Sequence, residues 1–518
     1  MPQSKDGSGT LDRRTLLKAF AAAGVAGGTG ALFAAPPSPS GLPSKPSPIV
    51  AENARPGAAD WLLRRPRLDA PTSLRSSAIE GYASAIGVRA GERLQIFASA
   101  RPAARVLLEV FRLGYYGGAG ARRVMTLPEM RVAPQAVPEM GKERLRACAW
   151  SPSFELTVPP DWTSGVYLGR LTAEESGAES FVVFVVRDDR PCDVLVQCST
   201  TTWAAYNRWP AHGSLYDDGQ KEWSWGPHVQ VSYDRPWSKY CQLLDAPQSL
   251  GSGEVLLWEY PLIYWLEQQG HDVSYTTNED THADPTGLRR GKLWISVGHD
   301  EYWTLEMYRN VLQARDAGVN LAFLSGNTCF GLVELLPDAA GRPRRTVRRL
   351  GQFGGVDQRF VHDFPESRGF ERSAPDEALL LGARSGYPVT GSADWICQRP
   401  EHWLFAGTGM HKGDAIGGLV GWEWHGEPAA LPGLEVLASG PIRNGKAVGE
   451  YTATMYPGPR GNFVFNGATI WWSDGLSAPP GYVRPFFSRK IHLRGPDARV
   501  QRMTANLIAR AVAGHAAG

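Results

Sequence analysis

Between residues 75 and 190 apolar and polar positions alternate in short runs. Arg93-Leu94-Gln95-Ile96-Phe97-Ala98 has the two-residue period of a half-buried strand. Gly81–Ser84, Val106–Arg112, Phe154–Val158, Val166–Leu171 and Ser180–Val186 supply further strands, with turn residues such as Pro159-Pro160 between them. This spacing predicts an immunoglobulin-like β-sandwich. From Cys192 the pattern changes. Asp193–Gln197 reads as a buried strand, Val255–Gln269 as a helix closed by Gly270, and Asp272–Tyr275 and Lys292–Val297 as strands. Thr304–Ala317 reads as a helix closed by Gly318, and Val319–Leu324 as the next strand. Alternating strand and helix predicts a parallel α/β sheet with crossover helices over residues 191–518. Its C-terminal extension, from about residue 340, is mixed and includes a strand at Asn462–Asn466.

Residues 1–35 are set apart from this fold. Arg13-Arg14 precedes an uncharged, Ala- and Gly-rich run from Ala19 to Ala35, the pattern of a twin-arginine export signal. No Cys follows the run, so there is no lipid-attachment site. Residues 36–74 form a Pro/Ser-rich linker. No later stretch reaches the roughly 20 apolar residues of a membrane span. The expected location is periplasmic or extracellular. The twin-arginine route moves folded proteins, often after a cofactor is loaded, which favours a bound metal or cofactor.

Composition narrows the functional classes. A chain of 518 residues, 43% hydrophobic and 20% charged, is long and apolar enough for two or three domains with real cores. A net charge of +2 excludes nucleic acid as the main partner. The six cysteines contain no C-x-x-C pair, so a zinc site of that kind is excluded. Eighteen Trp and 17 Tyr fit either an aromatic pocket or a dense β-rich core.

In open parallel sheets ligands bind beyond the carboxyl ends of the strands. Three predicted strand ends carry polar residues: Cys198–Asn207, Gly298–Trp303 and Ser325–Phe330. His299 and Glu301 are one residue apart and can act as acid, base or metal ligands. Asp300 and Glu301 also fit the N-terminus of the following helix. Asn327 fits a ligand contact or a tight turn beside Gly326. Cys329 fits a small buried residue or, with Gly326, a nucleophile; the usual G-x-C-x-G spacing is absent.

Four motifs carry a family resemblance: Phe111-Arg112-Leu113-Gly114-Tyr115-Tyr116-Gly117-Gly118 with Gly120-Ala121-Arg122, Ala205-Tyr206-Asn207, Ser232-Tyr233-Asp234-Arg235-Pro236, and Gly298-His299-Asp300-Glu301-Tyr302-Trp303. In order and over about residues 76–512 they resemble the large (beta) subunit of N,N-dimethylformamidase and its relatives. The resemblance implies a glutamine-amidotransferase-like α/β domain and a mononuclear iron held by two tyrosines and one glutamate. Ferric iron with such ligands polarises an amide carbonyl and activates water. By motif, Glu301 is the implied iron glutamate and Tyr206 the first tyrosine. Many relatives have the second tyrosine where this chain has Trp237; Tyr240 is the nearest replacement. His299 is the implied substrate-side histidine, Asn327 the residue that orients the amide, Glu423 in Gly421-Trp422-Glu423-Trp424 an outer carboxylate that could act as base, and Phe465 the pocket aromatic.

The implied function is an exported, metal-dependent hydrolase of a small amide or related C–N bond. The implied partners are a small amide-like substrate and a small partner subunit not contained in this sequence; a homo-oligomer is left open. Two alternatives stand beside it: a non-catalytic exported ligand-binding protein on the same scaffold, and a hydrolase using the Cys329 thiol.

Overall fold

The computed structural model describes residues 47–220, 223–240, 246–354, 358–370, 372–482 and 495–514. The twin-arginine segment and the first part of the linker lie outside them.

The first strands form two facing sheets. One holds Glu80–Ala83, Arg93–Ser99 and Phe154–Thr157. The other runs, in spatial order, Gly87–Arg89, Ala178–Arg187, Gly165–Ala173, Ala104–Leu113 and Ala121–Val132. Leu94, Ile96 and Ala98 from the first meet Val106, Leu108, Val182 and Phe184 from the second in one apolar cluster. The larger sheet is buried on its other face too. There Phe111, Leu168, Val183 and Val185 join the main core with Tyr260, Leu262 and Tyr275. That explains why Phe181-Val182-Val183-Phe184-Val185-Val186 is continuously apolar: neither face of the strand meets water.

A further sheet, from Cys192 onward, has seven strands. Val273–Thr277, Cys192–Cys198, Gly291–His299, Asn320–Gly326 and Phe463–Asn466 lie side by side and parallel. Lys446–Pro457 and Glu435–Asn444 then extend it antiparallel, so the sheet is mixed rather than purely parallel. The helix expected over Val255–Gln269 occupies Tyr260–Gln268. Pro261 lacks an amide donor and suits only the first turn, so the periodic residues before it form turns. Gly270 ends the helix with φ +73°, as its sequence position predicts. Among the described residues no helix is long and apolar enough to cross a membrane.

A buried ion pair clasps the two regions together. Arg112, on the strand Ala104–Leu113, donates from both terminal nitrogens to the Glu267 carboxylate, at 2.9 and 2.8 Å, and neither side chain meets solvent. Arg112 also donates to the Tyr116 hydroxyl and the Ser164 carbonyl. Glu267 also accepts from Tyr275 and Asn53, so the remaining lone pairs are used. The glycines of this motif make room for the clasp. A Cβ on Gly114 would come within 2.4 Å of the Glu267 carboxylate, and one on Gly120 within 2.2 Å of the Tyr260 hydroxyl. Removing one partner of such a pair strands a buried charge, at a cost of about 3–5 kcal/mol. Arg112→Ala is therefore expected to lower unfolding free energy by about that amount in chemical denaturation. A loss under about 1 kcal/mol would contradict the clasp.

Candidate metal centre

The site is built from the ends of neighbouring parallel strands. Next to the end of the strand Gly291–His299 stands Gly298, whose φ is +69°; a Cβ there would come within 2.7 Å of Trp258 Cβ. The turn that follows delivers His299 and Glu301 into the interior, both buried. The intervening Asp300 points elsewhere. It accepts from Gln197 Nε2 at 2.6 Å, Ser296 Oγ at 3.0 Å and Asn278 Nδ2 at 3.1 Å, tying three segments together. Neither Asp300 nor Glu301 caps the next helix. Thr304 does, its hydroxyl accepting from the Met307 amide at 3.1 Å.

The helix Thr200–Tyr206 follows the strand Cys192–Cys198 and places Tyr206. Beyond it the chain folds back, the Leu215 amide donating to the Ala205 carbonyl at 2.8 Å. Arg235 fixes this return. Its donors reach the carbonyls of Ser232, Trp209, Gly213, Ala204 and Asn207, so the fully buried guanidinium is satisfied by five backbone oxygens. Burial without a carboxylate partner pulls its pKa down to about 9. The effect is to bring Tyr216 onto Tyr206, with ring centroids 4.8 Å apart.

Three oxygen-bearing side chains converge here. Tyr206 Oη donates to Glu301 Oε2 at 2.6 Å, and Tyr216 Oη lies 2.5 Å from Tyr206 Oη and 3.1 Å from Glu301 Oε2. Burial pushes both phenols well above the usual tyrosine range, and the Glu301 charge adds to it. Behind Tyr216, the Arg349 guanidinium lies 5.1 Å from its ring centroid and 4.3 Å from that of Trp225.

His299 and Glu423 extend the cluster. His299 Nε2 lies 2.9 Å from Glu423 Oε2 and 3.3 Å from Glu301 Oε2. His299 Nε2 is thus within ion-pair distance of both carboxylates, while Nδ1 has no hydrogen-bond partner among the described residues. Burial disfavours the imidazolium, but the Glu423 and Glu301 carboxylates outweigh it and hold the His299 pKa well above its usual value. Two overlapping donor sets thus share Glu301: the Tyr206–Tyr216–Glu301 oxygens, and His299–Glu301–Glu423, whose ligand atoms all lie within 4.8 Å of one another.

Glu423 and Asn327 are placed by backbone contacts. The Ile470 amide donates to the Glu423 carbonyl at 3.2 Å, and a Cβ on Gly326 would come within 2.2 Å of that same oxygen, so only glycine fits. Asn327 follows with φ +53°, a left-handed conformation that Asn tolerates. Its side chain reaches Glu423, while its Oδ1 has no partner among the described residues. Next to it, the Thr328 amide donates to His425 Nε2 at 3.1 Å. That leaves the proton on Nδ1, which donates to Asn466 Oδ1 at 2.8 Å.

Comparison with known proteins follows this geometry. The profile described as "N,N-dimethylformamidase beta subunit-like, C-terminal" matches residues 107–484. The chain belongs to this family. The N,N-dimethylformamidase beta subunit of Alcaligenes sp is 25% identical in an alignment of 228 residues that covers 37% of this chain and 29% of that protein. The chain thus matches less than a third of that relative's length. Among solved structures, a family 123 glycoside hydrolase from Clostridium perfringens has 9% identity over 57% of each chain and a TM-score of 0.11, too low to carry an argument.

Within this family member the expected residues fall into two groups. Tyr206, His299, Glu301, Asn327 and Glu423 come together. Among the described residues, Tyr240 and Phe465 make no hydrogen bond to this cluster. Tyr240 lines, with Tyr206, Trp203, Trp237 and Glu254, a small cavity; its buried hydroxyl has no hydrogen-bond partner among the described residues, and Tyr216 is a further phenol that reaches the cluster directly. The return of the chain after Asn207 accounts for Tyr216. It folds Tyr216 onto the cluster, whereas Trp237, with no ligand atom, stacks edge-on to Trp203. Phe465 is buried in the core against Trp472, with centroids 5.4 Å apart. The aromatics beside His299 are instead Tyr206 and Trp258, and Trp258 leads on to Trp422 and Trp471. Cys329 is a buried core residue whose thiol is pushed far up by burial, the opposite of what a nucleophile needs. Sequence reasoning missed Tyr216 and Arg349; Tyr216 sits in a loop with no periodic signal.

Burial drops the His425 pKa to about 4 from 6.5. The unfolded chain therefore takes up this proton first. The stability His425 contributes is fully present above about pH 6.5 and is lost as pH falls toward 4, by about 3 kcal/mol in total. Denaturation of the native chain and of His425→Gln between about pH 7 and 4 should show a steeper acid loss in the native chain. Equal slopes would contradict a neutral, buried His425.

Proposed function

We propose that this chain is the iron-binding, catalytic subunit of a hydrolase that cleaves the C–N bond of a small amide. The observation that carries the reading is the convergence of Tyr206, Tyr216 and Glu301 at 2.5–3.1 Å in a buried interior. The residues fit the metal by the chemistry of the donor set: two phenols and a carboxylate are hard oxygen ligands of the kind ferric iron prefers. His299 Nδ1 and Asn327 Oδ1, buried with no hydrogen-bond partner among the described residues, fit a site that meets further groups. Family membership adds independent support. The Alcaligenes relative is called a beta subunit, and we extend that to a small partner chain here. Export by the twin-arginine route, an immunoglobulin-like first domain and an amidotransferase-like second domain belong to the same proposal.

When bound, the iron supplies Lewis acidity toward a carbonyl oxygen and toward water. The chain's own residues handle protons and orientation. Glu423 accepts the proton that leaves water as its oxygen adds to the carbonyl carbon. His299, kept protonated by its two carboxylate neighbours, returns a proton to the departing nitrogen as the C–N bond breaks, giving an acid and an amine. Asn327 offers Oδ1 as an acceptor for an amide N–H. Trp258, Trp422 and Trp471 exclude bulk water on one side.

The test is amine release from small formamides and acetamides by the iron-loaded full chain. His299→Gln and Glu423→Gln are expected to retain metal and lose at least about a hundredfold in kcat. No release from any such amide, or full activity in both variants, would contradict the reading.

A further inference from the structure

A cavity of about 340 Å³ lies beside the oxygen cluster without being lined by it. Two of its walls continue the site loops: Phe330 closes the loop that contains Asn327, and Trp424 follows Glu423. The Phe330 ring lies 5.4 Å from Trp225, and Trp225 lies 5.5 Å from Tyr216, so one aromatic layer separates the cavity from the phenols. Its volume suits a small molecule.

The walls are those of a built site. Glycines cradle the Trp424 indole: a Cβ on Gly386, Gly426 or Gly449 would come within 2.3, 2.7 or 2.4 Å of it. The lining carries two buried acceptors with no partner among the described residues, Glu377 Oε2 and Gln352 Oε1, in residues 1% and 5% exposed, beside the likewise unpartnered Trp424 Nε1, Arg384 Nε and Ser385 Oγ. Buried acceptors left unpaired are costly, and a donor arriving with a ligand removes that cost. The other Glu377 oxygen accepts from the Ser385 amide at 3.0 Å. Among the described residues no ion pair engages Glu377, and the nearby Arg384 is paired with Asp376. Glu450 adds negative charge to the lining, where Arg359 also stands and Glu427 is paired with Arg384 at 3.8 Å. Phe330, Phe360 and Trp424 supply aromatic faces, which attract organic cations.

We propose that this cavity binds a small alkylammonium ion, its N–H groups donating to Glu377 and Gln352 and its carbon chain lying against Phe330, Phe360 and the Trp424 indole. Amide hydrolysis yields an amine, so the cavity would hold the amine side of substrate or product. That link rests on the function proposed above; the binding itself does not.

The test is titration calorimetry of the metal-free full chain with propylammonium chloride. It is run at about pH 8, above the Glu377 pKa, which burial pushes up to about 7. The expected result is saturable one-to-one binding, weakened at least about tenfold by Glu377→Gln and unchanged by Glu301→Gln. Uncharged 1-butanol, of similar length, should not bind. No saturable binding up to about 50 mM, equal affinity in Glu377→Gln, or loss in Glu301→Gln with Glu377→Gln intact would overturn the proposal. Should Glu377→Gln not fold, Gly386→Ala serves instead; it displaces the indole and is expected to weaken binding, and native affinity there would overturn the site. Because no metal is present, failure of amide hydrolysis leaves this outcome untouched.

Discussion

The site depends on one interaction: a carboxylate taken out of water and met there by two phenols. Glu301 is 2% exposed, and the hydroxyls of Tyr206 and Tyr216 lie within 3.1 Å of its Oε2. Removing a charge from water is expensive unless it is compensated, so such a carboxylate persists only where donors are fixed around it. Much of the surrounding structure supplies that fixing. Gly298 turns the strand end, Arg235 gathers five carbonyls to hold the returning chain, and Asp300 ties the adjacent strands from behind.

The motifs that carry the resemblance divide by physical role. Only the one around His299 and Glu301, and Tyr206 in its own, reach the cluster. Arg112 with its glycines instead joins the five-stranded sheet to the helix Tyr260–Gln268 through the Glu267 carboxylate. Asp234 pairs with Arg345 while Arg235 anchors the chain that presents both tyrosines. Sites far from the chemistry can thus be as exacting as the site itself, because a buried charge tolerates few neighbours.

The same logic sets what could be read from the sequence. Strands and the helices at Leu305–Asp316 and after Pro261 follow from local periodicity, and polar residues directly after apolar runs mark the strand ends. That was enough to single out Tyr206, His299, Glu301 and Asn327. Tyr216 was hidden because its position depends on the fold-back that Arg235 holds, a long-range contact with no periodic trace. The antiparallel strands Lys446–Pro457 and Glu435–Asn444 were hidden likewise, since pairing direction is not written in either strand alone. Phe465 looks like any pocket aromatic in sequence, yet the pleat turns it into the core against Trp472.

The central claim is that Tyr206, Tyr216 and Glu301 together hold iron. Metal content and the visible spectrum of the purified full chain test it most directly, compared between Tyr216→Phe and Tyr240→Phe. The account predicts about one iron per chain and a tyrosinate-to-iron charge-transfer band, diminished or lost in Tyr216→Phe and intact in Tyr240→Phe. Loss of the band in Tyr240→Phe with Tyr216→Phe unchanged, or no iron in the native chain, would contradict it.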